Sequence, residues 1–255
     1  MLLTIDIGNS NIVPVLYADD KTRFYSDRFE TVKNNMVFYT NWIIKDLVPL
    51  KNKYPFDTVI VSSVVPSVTA HINTLLQEIL KVEVISCSSD LVKDFNIKLD
   101  NPNEIGADFI ATSFGAMAKY KLPIVIADLG SATKLSALNA EGEFEGGIII
   151  PGIKVSQDAL NHFIPHLPSI PLDIPSKAIG KSTTLAMQSG LLYGHIDAIT
   201  GLSLRLEKEL KGKVTRIVTG GFSYLLHQYM PKFEFEPFLL NDGLFEIYHR
   251  YVKTP

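Results

Sequence analysis

Apolar residues open the chain as a run, Leu2, Leu3, Ile5 and Ile7, that reads as a buried strand, yet Asp6 interrupts it and Gly8 ends it. Two more strand-like segments follow, "IVPVLYA" and "TRFYSDRF", set off by the turn residues Asn9, Ser10, Asp19 and Asp20. In "NMVFYTNWIIKDLV" the period changes, with Val37, Trp42, Ile43 and Leu47 at helical spacing. A buried-type strand "DTVIVSSVV", a helix in "VTAHINTLLQEILK", a short strand "VEVIS" and a long helix in "GADFIATSFGAMAKYK" complete the first half.

At "LPIVIADLGSATKLSALNAEGEF" the pattern starts again: strand, acidic turn, second strand, a turn at Glu141 and Gly142, and a third strand "EGGIIIP". "TIDIGNSN" and "VIADLGSAT" align as apolar strand, Asp, apolar residue, Gly and small polar residues. Such a repeat predicts an α/β fold of two halves with one topology, three hairpin-connected strands followed by alternating helices and strands. The halves are expected at residues 1–118 and 119–255. The second half also carries a proline-rich crossing, "FIPHLPSIPLDIP", expected as an extended surface connection. A long helix is expected from about Ser182 to Lys211, with Leu185, Leu192, Ile196, Ile199 and Leu206 at helical spacing. The strand "TRIVTGG", a helix from about Phe222, and a last helix begun by Asn241 or Asp242 close the chain.

Composition narrows the function classes. A 255-residue chain with 46% hydrophobic and 20% charged residues can bury a sizeable core. A net charge of −3 with dispersed Lys and Arg argues against nucleic acid or an anionic membrane as the main partner. The single Cys87 forms no internal disulfide, and no Cys/His cluster points to zinc. No signal-peptide pattern is visible, and every apolar run is shorter than the roughly 20 residues that cross a bilayer, so a cytoplasmic chain is expected.

The two acidic turns carry the candidate chemistry. A glycine after a strand leaves no side chain in a ligand's way, and backbone N–H groups there can cup phosphate oxygens. Asn9, Ser10, Ser131 and Thr133 add hydrogen-bonding groups. An aspartate beside phosphate becomes reasonable if Mg²⁺ or its bound water lies between them. Two such turns facing each other would hold a polyphosphate from both sides, and "VTGG" supplies a third glycine turn suited to a nucleoside. The plainer reading makes each turn a tight hairpin whose aspartate bonds its own backbone. "AIGKST" is rejected as a P-loop, because Pro175 stands where that motif needs glycine and no buried strand precedes it. Trp42, Cys87, His71, His195 and His249 have no partners at revealing spacings and are expected in packing roles.

The ordered set "DIGNSN", "SSVVPSV", "DNPNEIGAD", "DLGSAT", "GGIIIPG", "IGKST", "AMQSG" and "TGG" resembles the type III pantothenate kinases, of the acetate and sugar kinase and actin-like superfamily. The resemblance implies two ribonuclease-H-like domains flanking a nucleotide cleft and transfer of the ATP γ-phosphoryl group to pantothenate, the first step toward coenzyme A. It implies a first phosphate loop at Asp6, Ile7, Gly8, Asn9, Ser10, Asn11, Ile12 and Val13, with Asp6 near Mg²⁺ or a similar divalent ion. Ser131, with Gly220 and Gly221, would contact ATP, and Asp128 would help hold a monovalent cation, K⁺ or NH₄⁺. Asp108 would be the catalytic base, while Leu99, Gly106, Ala107, Phe109 and Thr183 would line the pantothenate site of a homodimer. Read without the resemblance, Asp108 is first of all a helix cap near a predicted helix start. The long helix from Ser182 is the expected source of much of the dimer contact.

Several positions depart from the family pattern. Phe109 stands where an arginine is usual and Leu99 where an aromatic is usual, so a charge-assisted contact to the pantothenate carboxylate is missing. Lys134 and Ser136 replace a usual threonine and aspartate, with Lys134 expected as an exposed strand residue, and Pro14 falls inside a strand, at an edge or bulge. Two alternatives therefore stay open: a paralogue phosphorylating another small alcohol, or a catalytically silent nucleotide-binding protein of the same fold.

Overall fold

The opening apolar run forms β1 (Leu2–Ile7), which pairs antiparallel with β2 (Asn11–Tyr17). The computed structural model describes residues 1–33 and 35–253; Asn34, Thr254 and Pro255, within the spans expected from the sequence, lie outside the described residues. β3 (Arg23–Ser26) and β4 (Phe29–Glu30) both pair with β2 on its far side. Pro14 falls in the gap between them. Its carbonyl accepts the Asp27 N–H at 3.2 Å, so its missing N–H points toward that interrupted edge and costs no ladder bond.

The helical segment that follows is α1 (Met36–Trp42), a widened π-turn (Ile43–Leu47) and α2 (Val48–Lys53). The wide turn falls where Pro49 has no N–H for the carbonyl four residues back. β5 (Thr58–Ser63) pairs parallel with β1, α3 (Pro66–Leu75) follows, and β6 (Glu83–Ser86) pairs parallel with β5. α4 (Ala107–Met117) ends this half.

Strand alternation divides β1 between two faces. Leu3, Ile5 and Ile7 pack with Trp42, Ile43, Leu47 and Ile72 in one core. Leu2, Thr4 and Asp6 point the other way, toward the face that carries α4 and the last helix of the chain. A strand covered on both sides reads as a continuous apolar run, so Asp6 looked out of place in it.

The second unit repeats the plan. β7 (Ile124–Leu129), β8 (Ala132–Leu138) and β9 (Phe144–Pro151) form an antiparallel meander, and α5 (Ile153–Phe163) and α6 (Thr183–Glu209) follow. β10 (Thr215–Thr219) pairs parallel with β7; α7 (Ser223–Leu226) follows it, and β11 (Glu234–Phe235) pairs parallel with β10. In each sheet the strand order is third, second, first, fourth, fifth, counting β5 and β6 as the fourth and fifth of the first unit. The repeat seen in two short motifs is thus a repeat of topology. Between α5 and α6 the proline-rich crossing has no helix or strand, as expected, but it is anchored: the Gln157 and Gln188 side chains donate to the Ile170 and Pro171 carbonyls.

α8 (Leu239–Tyr251) corrects two expectations. It belongs with residues 1–119, so the second unit is Tyr120–Phe238 rather than everything after residue 118. Asn241 and Asp242 also do not cap the helix but lie buried inside it. The Asn241 amide donates to Thr4 Oγ1 at 2.9 Å and to the Val13 carbonyl at 3.1 Å. The Asp242 side chain, 0% exposed, accepts from Tyr17 Oη at 2.7 Å and from Lys119 Nζ at 2.6 Å, with Arg23 at 3.6 Å. These bonds attach α8 to β1 and β2. Among the described residues no helix is long and apolar enough to cross a membrane.

Candidate functional site

In the first unit Asp6 is the penultimate residue of β1, on the sheet face shared with α4. The turn beyond it is closed by the Gly8 N–H donating to the Asn11 carbonyl at 2.9 Å. A Cβ at Gly8 would stand 3.1 Å from that oxygen, a tight contact. Thr31 supports the turn from outside: its hydroxyl donates to the Gly8 carbonyl at 2.7 Å and its N–H to the Ser10 carbonyl at 2.9 Å. Asn9 and Ser10 are exposed at the tip, Ile12 and Val13 are buried, and Ile7 is in the core. The sequence did not single out Thr31, whose role depends on a chain crossing that no local pattern shows.

Asp108 stands in the first turn of α4 and is 8% exposed. The N-cap is Gly106, and Asp108 Oδ1 accepts the Phe109 N–H at 2.9 Å. It therefore does part of the capping work at this helix N-terminus. Cys87 lies beside this turn, its thiol 3.8 Å from the Ala107 carbonyl. Burial, and then the charge of Asp108, push the Cys87 thiol up to about 12. Phe109 is half-buried next to Asp108, and Leu99 half-buried in the irregular stretch before α4. Asp6 and Asp108 thus belong to one side of one sheet.

In the second unit three chain segments meet at the second acidic turn. Thr219 pairs with Asp128 across the parallel β10–β7 ladder, so "TGG" lies directly beside "DLGS". The Phe222 N–H donates to the Leu129 carbonyl at 3.0 Å. Gly220 has φ +88°, and a Cβ there would collide with Asp128 Oδ1 and stand 2.6 Å from the Leu129 nitrogen. Only glycine meets both demands. Gly152 brings in the end of β9: its N–H donates to the Ser131 carbonyl at 3.1 Å, and a side chain there would strike that carbonyl. Thr133 Oγ1 is 2.7 Å from His195 Nε2 in a buried pair, and burial lowers the His195 pKa.

Two second-unit expectations change. Lys134 is not an exposed strand residue: it is 17% exposed, with Nζ 3.1 Å from Asp128 Oδ2. Four of the five spaced apolar residues of α6, Leu192, Ile196, Ile199 and Leu206, lie in this unit's own core, so they are unavailable as a dimer surface; Leu185 is exposed. Thr183 is the first residue of α6, exposed, behind the N-cap Ser182, whose hydroxyl accepts the Leu185 N–H at 3.2 Å. No strand precedes "AIGKST", and Lys181 is exposed, in accord with rejecting a P-loop.

Among the described residues no group of three or more His, Cys, Asp or Glu is arranged to hold a metal ion. Asp6 fits a divalent ion of the kind that takes one carboxylate and completes its shell with phosphate oxygens and water, because the adjoining turn is open at Asn9 and Ser10.

These two mixed sheets of one topology define an actin-like α/β protein of two ribonuclease-H-like halves, and known structures agree. A conserved protein of Campylobacter jejuni, assigned to a Baf family of transcriptional activators, superposes with a TM-score of 0.59 at 19% identity, covering 97% of each chain. The archaeal actin homologue Ta0583 gives 0.53 at 11% identity, covering 98% of this chain and 99% of that one. The activator of 2-hydroxyisocaproyl-CoA dehydratase from Clostridium difficile, with bound ADPNP, gives 0.51 at 12%, covering 99% and 94%. Such distant likenesses define the fold. The family is given by sequence: residues 2–205 match the type III pantothenate kinase family, and the chain belongs to it. Membership makes it a kinase-type phosphotransferase that binds nucleotide. Gly220 and Gly221 lie beyond the matched residues; Gly220 packs against Asp128 in the structure.

Proposed function

We propose that the protein catalyses ATP-dependent phosphorylation of the primary hydroxyl of pantothenate, in the cytoplasm. The observation that carries this reading is the buried Asp108 carboxylate in the first turn of α4, on the same sheet side as Asp6, in a chain of this family. Asp108 takes the proton from the substrate hydroxyl as its oxygen bonds to the γ-phosphorus and the bond to ADP breaks. Gly106, Ala107, Phe109, Leu99 and Thr183 position the acceptor; Asp6 to Val13, Ser131, Gly220 and Gly221 bind the nucleotide. A divalent ion at Asp6, when bound, neutralises phosphate charge, which together with positioning supplies most of the acceleration in phosphoryl transfer.

An ADP-release assay with ATP, Mg²⁺ and pantothenate tests the reading. Turnover is expected, and Asp108→Asn should lower kcat by ~10²–10⁴-fold, the usual contribution of a positioned base. A second reading, favoured by Phe109 and Leu99 where the family carries arginine and an aromatic, is a less polar alcohol as acceptor. Turnover with a panel of small alcohols but not pantothenate would select it, and nucleotide binding without turnover on any acceptor would select a silent binding protein. The homodimer implied by the family is retained in this proposal, with the exposed Leu185 near Thr183 as a contact, and light scattering on Leu185→Asp checks it.

A further inference from the structure

The family resemblance assigns Asp128 to a monovalent cation, and the residues around it do not fit one. Lys134 Nζ is 3.1 Å from Asp128 Oδ2, the length of a charge-assisted hydrogen bond, with the two side chains 17% and 19% exposed. The other carboxylate oxygen, Oδ1, lies against Gly220 closely enough that no Cβ fits there. One oxygen therefore faces an ammonium group and the other faces backbone. A lysine ammonium is a compact single positive charge with N–H donors, the same charge that K⁺ or NH₄⁺ would bring. A second cation at the same carboxylate would meet repulsion from the first.

Register makes this pairing a built feature. Asp128 and Lys134 are direct cross-strand partners in the β7–β8 ladder, so their side chains leave the same face at close range. The matching hairpin in the first unit pairs Asp6 with Val13, an apolar residue. Of two acidic turns with the same topology, the second has a cation in its own ladder and the first has none at that register position.

We propose that the Lys134 ammonium is the resident cation of the Asp128 turn, and that nucleotide binding by this protein does not depend on added potassium or ammonium. Its nucleotide part rests on the reading given above. A purely structural ion pair would leave the potassium dependence of the family intact, whereas a resident cation removes it.

The test uses the full chain in tetramethylammonium buffer, with KCl exchanged in at constant ionic strength. Two quantities are read, the Kd for Mg²⁺–ADP by calorimetry and the melting temperature without nucleotide. For the wild type the Kd should agree within about twofold between the two buffers, well under the tenfold that 1.4 kcal/mol represents. Lys134→Thr, which restores the residue usual in the family, should weaken binding about tenfold or more without potassium and regain it with potassium. Wild-type binding that tightens about tenfold with saturating potassium overturns the proposal, as does a Lys134→Thr protein indifferent to both the substitution and the salt. If Lys134→Thr does not fold, the wild-type comparison alone decides. If no nucleotide binds, the proposed function fails instead, and the melting temperature judges the cation: a potassium-specific rise in the wild type overturns the proposal, and no rise supports it.

Discussion

Gly106 fixes where the Asp108 carboxylate can sit. A Cβ there would stand 2.5 Å from Asp108 Oδ1 and 3.6 Å from both its Cγ and a Phe109 ring carbon. The atom in the way is the end of a side chain, so Gly106→Ala should be absorbed by swinging the carboxylate aside rather than by unfolding. Misplacing a reacting group by about 1 Å can cost ~10²-fold in rate, and a kcat loss of that order with a melting temperature near wild type is expected. Equal losses of stability and activity would contradict it. Cys87 reports on the same corner: with its thiol pushed up to about 12, it stays protonated at pH 8 and should react with iodoacetamide only after urea exposes it. The sequence made Asp108 readable, because a small-residue turn and a helix start surround it. It could not place Cys87 beside Asp108, since that contact joins distant parts of the chain. Lys134 was visible as an oddity, but the face it occupies depends on the β7–β8 register, which a strand's period alone does not define.

At the scale of elements, the join between α4 and α8 depends on glycine. A Cβ at Gly243 would strike the Ala111 carbonyl, and one at Gly115 the Leu239 carbonyl, so the helices meet backbone to backbone. Exchanging glycine for alanine inside an exposed helix gains up to about 1 kcal/mol from propensity. Here the obstacle is main chain that cannot swing away, so Gly243→Ala should instead destabilise by about 1–3 kcal/mol, read from the urea midpoint. Asp242→Ala should cost more, about 3–5 kcal/mol, because it leaves Lys119 and Tyr17 facing a void where their acceptor stood. A loss under about 1 kcal/mol would mean that the charges find water easily once the carboxylate is gone. This helix is also where sequence reading went astray. Asn241 and Asp242 have the side chains of an N-cap, but their partners Thr4, Val13 and Tyr17 lie at the other end of the chain. In α6 the apolar spacing was read correctly as helical but assigned to a dimer contact, whereas four of its five residues pack into their own unit's core, a partner the pattern does not name.

For the whole molecule, the doubled plan was readable because each half places an acidic turn after its first strand and repeats one strand order. The boundary was not readable, because the last helix returns to the first unit by tertiary contacts alone. That long-range closure also bears on how the protein responds to alkali. Tyr17, buried and bonded to Asp242, has its phenol pKa raised, first by burial and then by that charge. Burial likewise raises Tyr25 and Tyr120, and lifts Tyr251 to about 12 from the usual 10.0, while Cys87 goes to about 12 from 9.0. All of these shifts have one sign. Below pH 9 the folded and unfolded chains both hold these protons, and the groups contribute no pH dependence. As the pH rises past 9 for the thiol and 10 for the phenols, the unfolded chain releases protons that the folded chain keeps. The unfolded state then binds fewer protons, so stability falls with pH, toward the folded values near 12 of Cys87 and Tyr251. Urea midpoints measured from neutral pH upward should be level to about pH 9 and then decline continuously. Tyr17→Phe should make that decline shallower, since it removes the most deeply buried phenol from the unfolded chain's ionisation. A midpoint that holds steady or rises through this window would show that these protons are not retained by folding.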